Sequence, residues 1–229
     1  MRKALAAVAL ALAASAIFAD ASVAARAAVA RRAAADGIVL LKNDGSLPLA
    51  KGSTLALFGA TDDIRPGGGG SSGVNAVRRV TLADGLTEAG FKLDRTSRDT
   101  ALFVVMRNAL EGEDAPDAAF ELAGEELATL AEIKASGFKR IVAVCGGGHV
   151  FDFGPLADDA AVDAILWTWY PGGEGCAAIG DVLAGKVNPS ARLAETIARN
   201  VGDYPTDRGW RESRWYVPYE EGKIGRAHV

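Results

Sequence analysis

Four short apolar runs, each ending at a glycine-rich or polar loop, constrain this chain more than any other feature. They are Thr54–Phe58 (TLALF), Thr100–Met106 (TALFVVM), Lys139–Cys145 (KRIVAVC) and Ala164–Trp169 (AILWTW). Runs this short and this apolar read as buried strands. Helical stretches separate them. Leu82–Gly90 (LADGLTEAG) reads as a short helix stopped by Gly90, and Glu121–Ser136 as an amphipathic helix turning Leu122, Leu127, Leu130 and Ile133 to the sheet. After the last run, Pro171-Gly172-Gly173 leads into an amphipathic stretch with Ala177, Ile179, Val182 and Leu183, closed by Gly185. Strands alternating with helices predict an α/β fold: a three-layer α/β sandwich with a mostly parallel sheet.

The flanking segments fit that frame. Arg31–Leu49 reads as a helix end, a short strand (VLLKN) and a polar turn at Asn43-Asp44-Gly45, with Lys42 as a solvated or helix-end charge. With 229 residues, 49% of them hydrophobic, the chain can bury one substantial core. A net charge of -4 without a Lys/Arg-rich run gives no footprint for nucleic acid or an anionic membrane, and favours a small neutral substrate. Cys145 and Cys176 have no metal-ligand spacing and read as free buried thiols, with a disulfide between them as the alternative in an exported chain; with only His149 and His228 besides, neither a metal nor a cofactor is expected.

Residues 1–19 combine a basic start (Arg2, Lys3), an Ala/Leu-rich run and small residues at Ala14-Ser15-Ala16, the pattern of a signal peptide. A secreted or periplasmic protein is expected. The competing reading is an Ala-rich helix continuing to Ala35, which would leave the protein cytoplasmic. No other run is long and apolar enough to span a membrane. The last seven residues, Lys223–Val229 (KIGRAHV), read as a translated sequencing adapter and are set aside, leaving 20–222 as the domain.

Two loops attract functional attention. Gly59–Asn75 contains Pro66-Gly67-Gly68-Gly69-Gly70-Ser71-Ser72-Gly73, which permits close backbone approach to a ligand but lacks the Gly-Lys-Ser/Thr ending of a phosphate loop and the spacing of a dinucleotide loop. Arg107-Asn108-Ala109-Leu110-Glu111-Gly112-Glu113-Asp114 puts an acidic cluster directly after a core strand, where open α/β sheets place their ligands. A retaining glycosidase needs two carboxyl groups about 5 to 5.5 Å apart, and one could come from here. The plainer alternative is a solvated acidic loop. His149 after the third strand and Glu174 at a helix start read as structural.

The stretch Trp167–Leu193 (WTWYPGGEGCAAIGDVLAGKVNPSARL) carries an aromatic pair, Pro-Gly-x-Glu-Gly and then Asp-Val-Leu-x-Gly-x-x-Asn-Pro-Ser-x-Arg-Leu. Together with VLLKN followed by LPL, the Gly-rich segment ending in Val74-Asn75, the Arg-x-x-x-Glu-Gly-x-Asp block and VPYEEG, it resembles the α/β-sandwich domain of glycoside hydrolase family 3, the β-glucosidase and β-xylosidase family, from about Ala33 to Gly222. The resemblance implies retaining hydrolysis of β-linked glucosides or xylosides with Glu111 as general acid/base. It implies substrate contacts from Arg107, Asp114, Gly69 and Ser71, with Glu113 as the alternative acid.

In this family the nucleophilic aspartate lies on a (β/α)8 barrel domain. A barrel takes roughly 250 residues, for which this chain has no room, and the signal-like start stands directly before the sandwich, so the chain is expected to be a fragment of a permuted member and inactive alone. Where the family pattern continues with arginine, this chain has Ala115, and Asp94–Asp99 is shorter than usual. Both departures favour the alternative of a non-catalytic carbohydrate-binding or interaction module.

Overall fold

The computed structural model describes residues 22–204. The signal-like start, the aromatics Trp210, Trp215, Tyr216 and Tyr219, the VPYEEG segment and the adapter-like tail lie outside the described residues. Among these residues the chain runs through helix α1 (22–37), β1 (Val39–Asn43), β2 (Thr54–Gly59), α2 (Leu82–Ala89), β3 (Lys92–Leu93), β4 (Thr100–Arg107), α3 (Gly124–Ala135), β5 (Arg140–Gly147), α4 (Gly154–Ala157), β6 (Ala164–Trp167) and α5 (Gly175–Leu183).

The strands form one sheet in the order β1-β6-β5-β4-β2-β3. Every pairing is parallel except β1 with β6. The mostly parallel three-layer sandwich expected from the sequence is therefore the fold. All eight residues of β4 are buried, and the strand's period of two divides them between two cores. Leu102, Val104 and Met106 join α1, α2 and α5 on one face, while Ala101, Phe103 and Val105 join α3 and α4 on the other. Burying a side chain such as Phe103 or Leu102 contributes about 1.5–3 kcal/mol, so the middle strand anchors both layers.

Local chemistry sets the helix ends. Thr81 Oγ1 accepts from the Asp84 amide at 3.1 Å, and Gly90 closes α2 at φ +107, the left-handed region open to glycine. Lys42 puts its ammonium on the carbonyls of Ala157 and Asp159, at the end of α4. Both cysteines are free and buried.

Three expectations need correction. Helix α3 begins at Gly124 rather than Glu121, because the Glu126 carboxylate accepts the Ala123 amide at 2.8 Å and so fixes the start. Leu127 is 46% exposed, so the sheet-facing stripe of α3 is only Leu130 and Ile133. The third is α5, which is buried on every side rather than on one: α2 packs closely against it and α1 reaches it through Arg31.

Two glycines allow that covering. A β-carbon on Gly85 would lie 2.3 Å from the Cys176 carbonyl oxygen, and one on Gly180 would lie 2.5 Å from the Gly85 carbonyl oxygen. The helices α2 and α5 thus meet backbone to backbone. From α1, Arg31 reaches Asp181 of α5 through Nε at 2.6 Å and Nη2 at 2.8 Å, and also pairs with Glu88. Burial pushes the Asp181 carboxyl up, but the hydrogen bonds and charge of Arg31, helped by Lys186, outweigh it and hold the group below the ordinary carboxylate range.

Gly180→Ala is expected to destabilise the fold by about 1–3 kcal/mol in urea unfolding, whereas Gly124→Ala, with open space at its β-carbon, stays close to the parent. Because the folded Asp181 carboxyl is depressed, its pairing stabilises above the unfolded value of about 3.9 and is lost as pH falls through the lower folded value. Arg31→Met should therefore lower the urea midpoint at neutral pH, and the gap from the parent should shrink in acid.

Candidate functional site

Parallel pairing brings the carboxyl ends of β2, β4, β5 and β6 to one edge of the sheet, where their following loops meet. The two loops singled out from the sequence are stitched together there. Gly69 pairs with Leu110 in a parallel bridge: the Gly69 amide donates to the Ala109 carbonyl at 2.9 Å, and the Glu111 amide donates to the Gly69 carbonyl at 3.3 Å. Glycine eases this approach: Gly70 has φ +65, and a β-carbon on Gly69 would sit 2.6 Å from Leu110 Cδ1, so that this exposed side chain would have to shift. Ser71 then donates from Oγ to Glu111 Oε2 at 2.5 Å.

Glu111 itself is exposed, as are Gly112, Glu113 and Asp114. Gly112 turns the chain at φ +87. The residues before Glu111 are gripped from several sides. The Gly148 amide donates to the Arg107 carbonyl at 2.8 Å, the Asn108 side-chain amide donates to Asp63 Oδ2 at 2.6 Å, and the Ala109 amide donates to the Tyr170 hydroxyl at 2.7 Å. An open polar cleft of about 590 Å³ lies against the other side of the Gly-rich loop, lined among others by Asp62, Asp63, Arg65, Asn75 and Arg79.

Arg107 does not join Glu111 at the surface. Its side chain is turned inward and buried, and its guanidinium donates to the carbonyls of Met106, Ala119 and Glu121 and, bidentately, to both oxygens of Glu126 at 2.7 and 2.8 Å. It also lies over the Phe151 ring, 4.7 Å from its centroid. The expected substrate contact from Arg107 gives way to another role: every donor is engaged within the protein, closing the base of the loop that carries Glu111. The structure brings Gly69, Ser71 and Glu111 together, with Asp114 on the same exposed loop as Glu111.

The His149 Nδ1 lies 3.1 Å from the carbonyl of Val150. Glu174, 5% exposed at the start of α5, has Arg78 at 3.5 Å. Burial pushes the Cys145 thiol far up and the Cys176 thiol to about 11, so neither is a nucleophile at neutral pH. Among the described residues no His, Cys, Asp and Glu side chains gather as metal ligands, and no helix is long and apolar enough to cross a membrane. Sequence reasoning missed Asp63, Glu126 and Tyr170, which act on the loop from distant positions. Glu126 left a trace only as a residue inside an expected helix, and Tyr170 only as one of the aromatics before Pro171.

The comparisons with known proteins show the family. Residues 38–224 match the glycosyl hydrolase family 3 C-terminal domain. The chain is 29% identical to a beta-glucosidase of Ruminococcus albus, over 77% of this chain and 23% of that protein. It is 33% identical to a probable exo-1,4-beta-xylosidase of Neosartorya fischeri, over 77% of this chain and 25% of that protein. Among solved structures it resembles a family 3 beta-glucosidase of Bifidobacterium adolescentis at 30% identity and a TM-score of 0.69, covering 87% of this chain and 32% of that one. The chain thus spans about a quarter of the length of the relatives it matches. Since the family match covers most of the chain and the solved relative shares its α/β fold, the chain belongs to glycoside hydrolase family 3 and carries that family's C-terminal domain.

Proposed function

We propose that this domain supplies the general acid/base, Glu111, to a retaining β-glycosidase whose nucleophilic aspartate stands on a barrel domain outside this chain. The observation that carries the reading is the exposed Glu111 carboxylate, held at the carboxyl edge of the sheet by Ser71 Oγ at 2.5 Å. The names of the relatives, beta-glucosidase and exo-1,4-beta-xylosidase, support a β-linked glucoside or xyloside as substrate.

The chemistry divides between the two domains. As the aspartate attacks the anomeric carbon, Glu111 gives its proton to the glycosidic oxygen, and the bond to the leaving alcohol breaks. In the second step Glu111, now a carboxylate, takes a proton from water while the water oxygen attacks the anomeric carbon and releases the aspartate. Asp114 and the Gly69–Ser71 segment flank Glu111 and are assigned to substrate contact. Arg107 is assigned to holding the loop. Each domain contributes one carboxyl group, so this chain alone is inactive. The basic, Ala/Leu-rich start further supports an exported enzyme, secreted or periplasmic.

In the enzyme completed by its barrel, Glu111→Gln is expected to slow hydrolysis of an alkyl β-glucoside or β-xyloside by on the order of 10²–10⁴-fold. Cleavage of the 2,4-dinitrophenyl glycoside, whose leaving group needs no proton, should still give its first-turnover burst. Equal rates for parent and variant on the alkyl substrate would sink the assignment. Sugar binding that survives Glu111→Ala, in a protein without hydrolytic activity, would instead identify a carbohydrate-binding module. Export is checked by the amino-terminal mass of the mature protein, which should begin near Asp20; an intact Met1 in the extracytoplasmic fraction would contradict it.

A further inference from the structure

Trp169 is the one non-glycine residue with positive φ among the described residues, at +54. A bulky side chain in the left-handed region is strained by about 1–3 kcal/mol and persists only where its surroundings hold it. Here β6 has just ended at Trp167. The Trp169 carbonyl accepts from the Gly147 amide at 3.0 Å, and its ring packs edge-on to Trp167 at 5.4 Å. The turn sends the next side chain, Tyr170, across the end of β5 to the loop after β4.

There the phenol oxygen accepts from the Ala109 amide at 2.7 Å and lies 3.4 Å from the Ala109 carbonyl. The path is cleared by Gly148: a β-carbon on it would meet both Ala109 Cβ and Tyr170 Cε2 at 2.9 Å. Ala109 precedes Glu111 by two residues, and its carbonyl is also the acceptor for Gly69. One hydroxyl therefore bears on the point where the acid loop and the Gly-rich loop are joined.

We propose that Tyr170 is a positioning residue for Glu111, its phenol fixing the backbone from which the acid projects. The inference rests on the reading of Glu111 as general acid/base. A hydroxyl placed on this amide sets the distance and direction of the Glu111 carboxyl relative to the glycosidic oxygen, and misplacement falls on proton transfer rather than on sugar binding. The strain at Trp169 is the local conformation that delivers the hydroxyl.

The test uses the complete enzyme, barrel included, with substrates that differ in leaving group. Tyr170→Phe keeps the ring and removes the hydroxyl. It is expected to lower kcat for an alkyl β-glycoside by on the order of 10- to 100-fold with little change in KM, while the burst with the 2,4-dinitrophenyl glycoside changes by less than about twofold. A loss equal on both substrates, as a general weakening of the fold gives, overturns the proposal, and so does an unchanged rate on the alkyl substrate. Gly148→Ala crowds the ring but leaves the hydroxyl; it should show the same selective loss, and it decides the matter by the same criteria if Tyr170→Phe does not fold. Glu111→Gln is run alongside. If its loss does not depend on the leaving group, the acid/base reading itself has failed, whereas a selective loss there with a uniform one in Tyr170→Phe overturns only the role of Tyr170.

Discussion

The burial of β4 on both faces is the constraint from which the rest of the structure follows. A strand with Leu102, Val104 and Met106 on one side and Ala101, Phe103 and Val105 on the other stays out of water only when helices cover both faces. Right-handed crossovers between parallel strands supply those helices. They also deliver every strand's carboxyl end to the same edge. The position of Glu111, just past the end of β4, is thus a consequence of how the core is covered.

At that edge the packing is closer than side chains allow. Gly147 has its would-be β-carbon 2.1 Å from the Arg107 carbonyl oxygen at φ +132, and Gly59 has its own 2.2 Å from the Val104 carbonyl oxygen at φ +77. Glycine at these positions is a steric requirement of neighbouring loops that leave adjacent strands. Beneath the loops, buried Arg107 and partly buried Glu126 supply the polar anchoring that the loop backbone needs. Burying the guanidinium is tolerable because every one of its donors has an acceptor; leaving it unmatched would be strongly destabilising. The exposed Glu111 carboxylate thus stands on a loop with a stiff base.

The chain's own order of residues was enough to reveal the strands, the stop of α2 at Gly90 and two separate loops of interest, one glycine-rich and one bearing Glu111. It was not enough for Arg107, whose motif position suggested a ligand contact. A charge at a strand end looks the same in sequence whether it faces solvent or folds back on carbonyls twelve to fourteen residues ahead. Nor was it enough for α5. Its apolar pattern with Asp181 and the glycines reads as one-sided, and only Arg31 and the close approach of α2 show why its outer side is dry.

What the sequence determined by itself is what short-range periodicity encodes: buried strands of period two, helices bounded by caps and glycines, and an acid-bearing motif placed directly after a core strand. Tertiary structure decided which distant groups converge on that motif. Ser71, Asp63, Gly148 and Tyr170 reach Arg107–Glu111 from the loops after three other strands, at separations set by strand order rather than by sequence distance. The physical reason is that hydrogen bonds between loops depend on distances of a few tenths of an ångström, and those distances are fixed only once the sheet has brought the strand ends together.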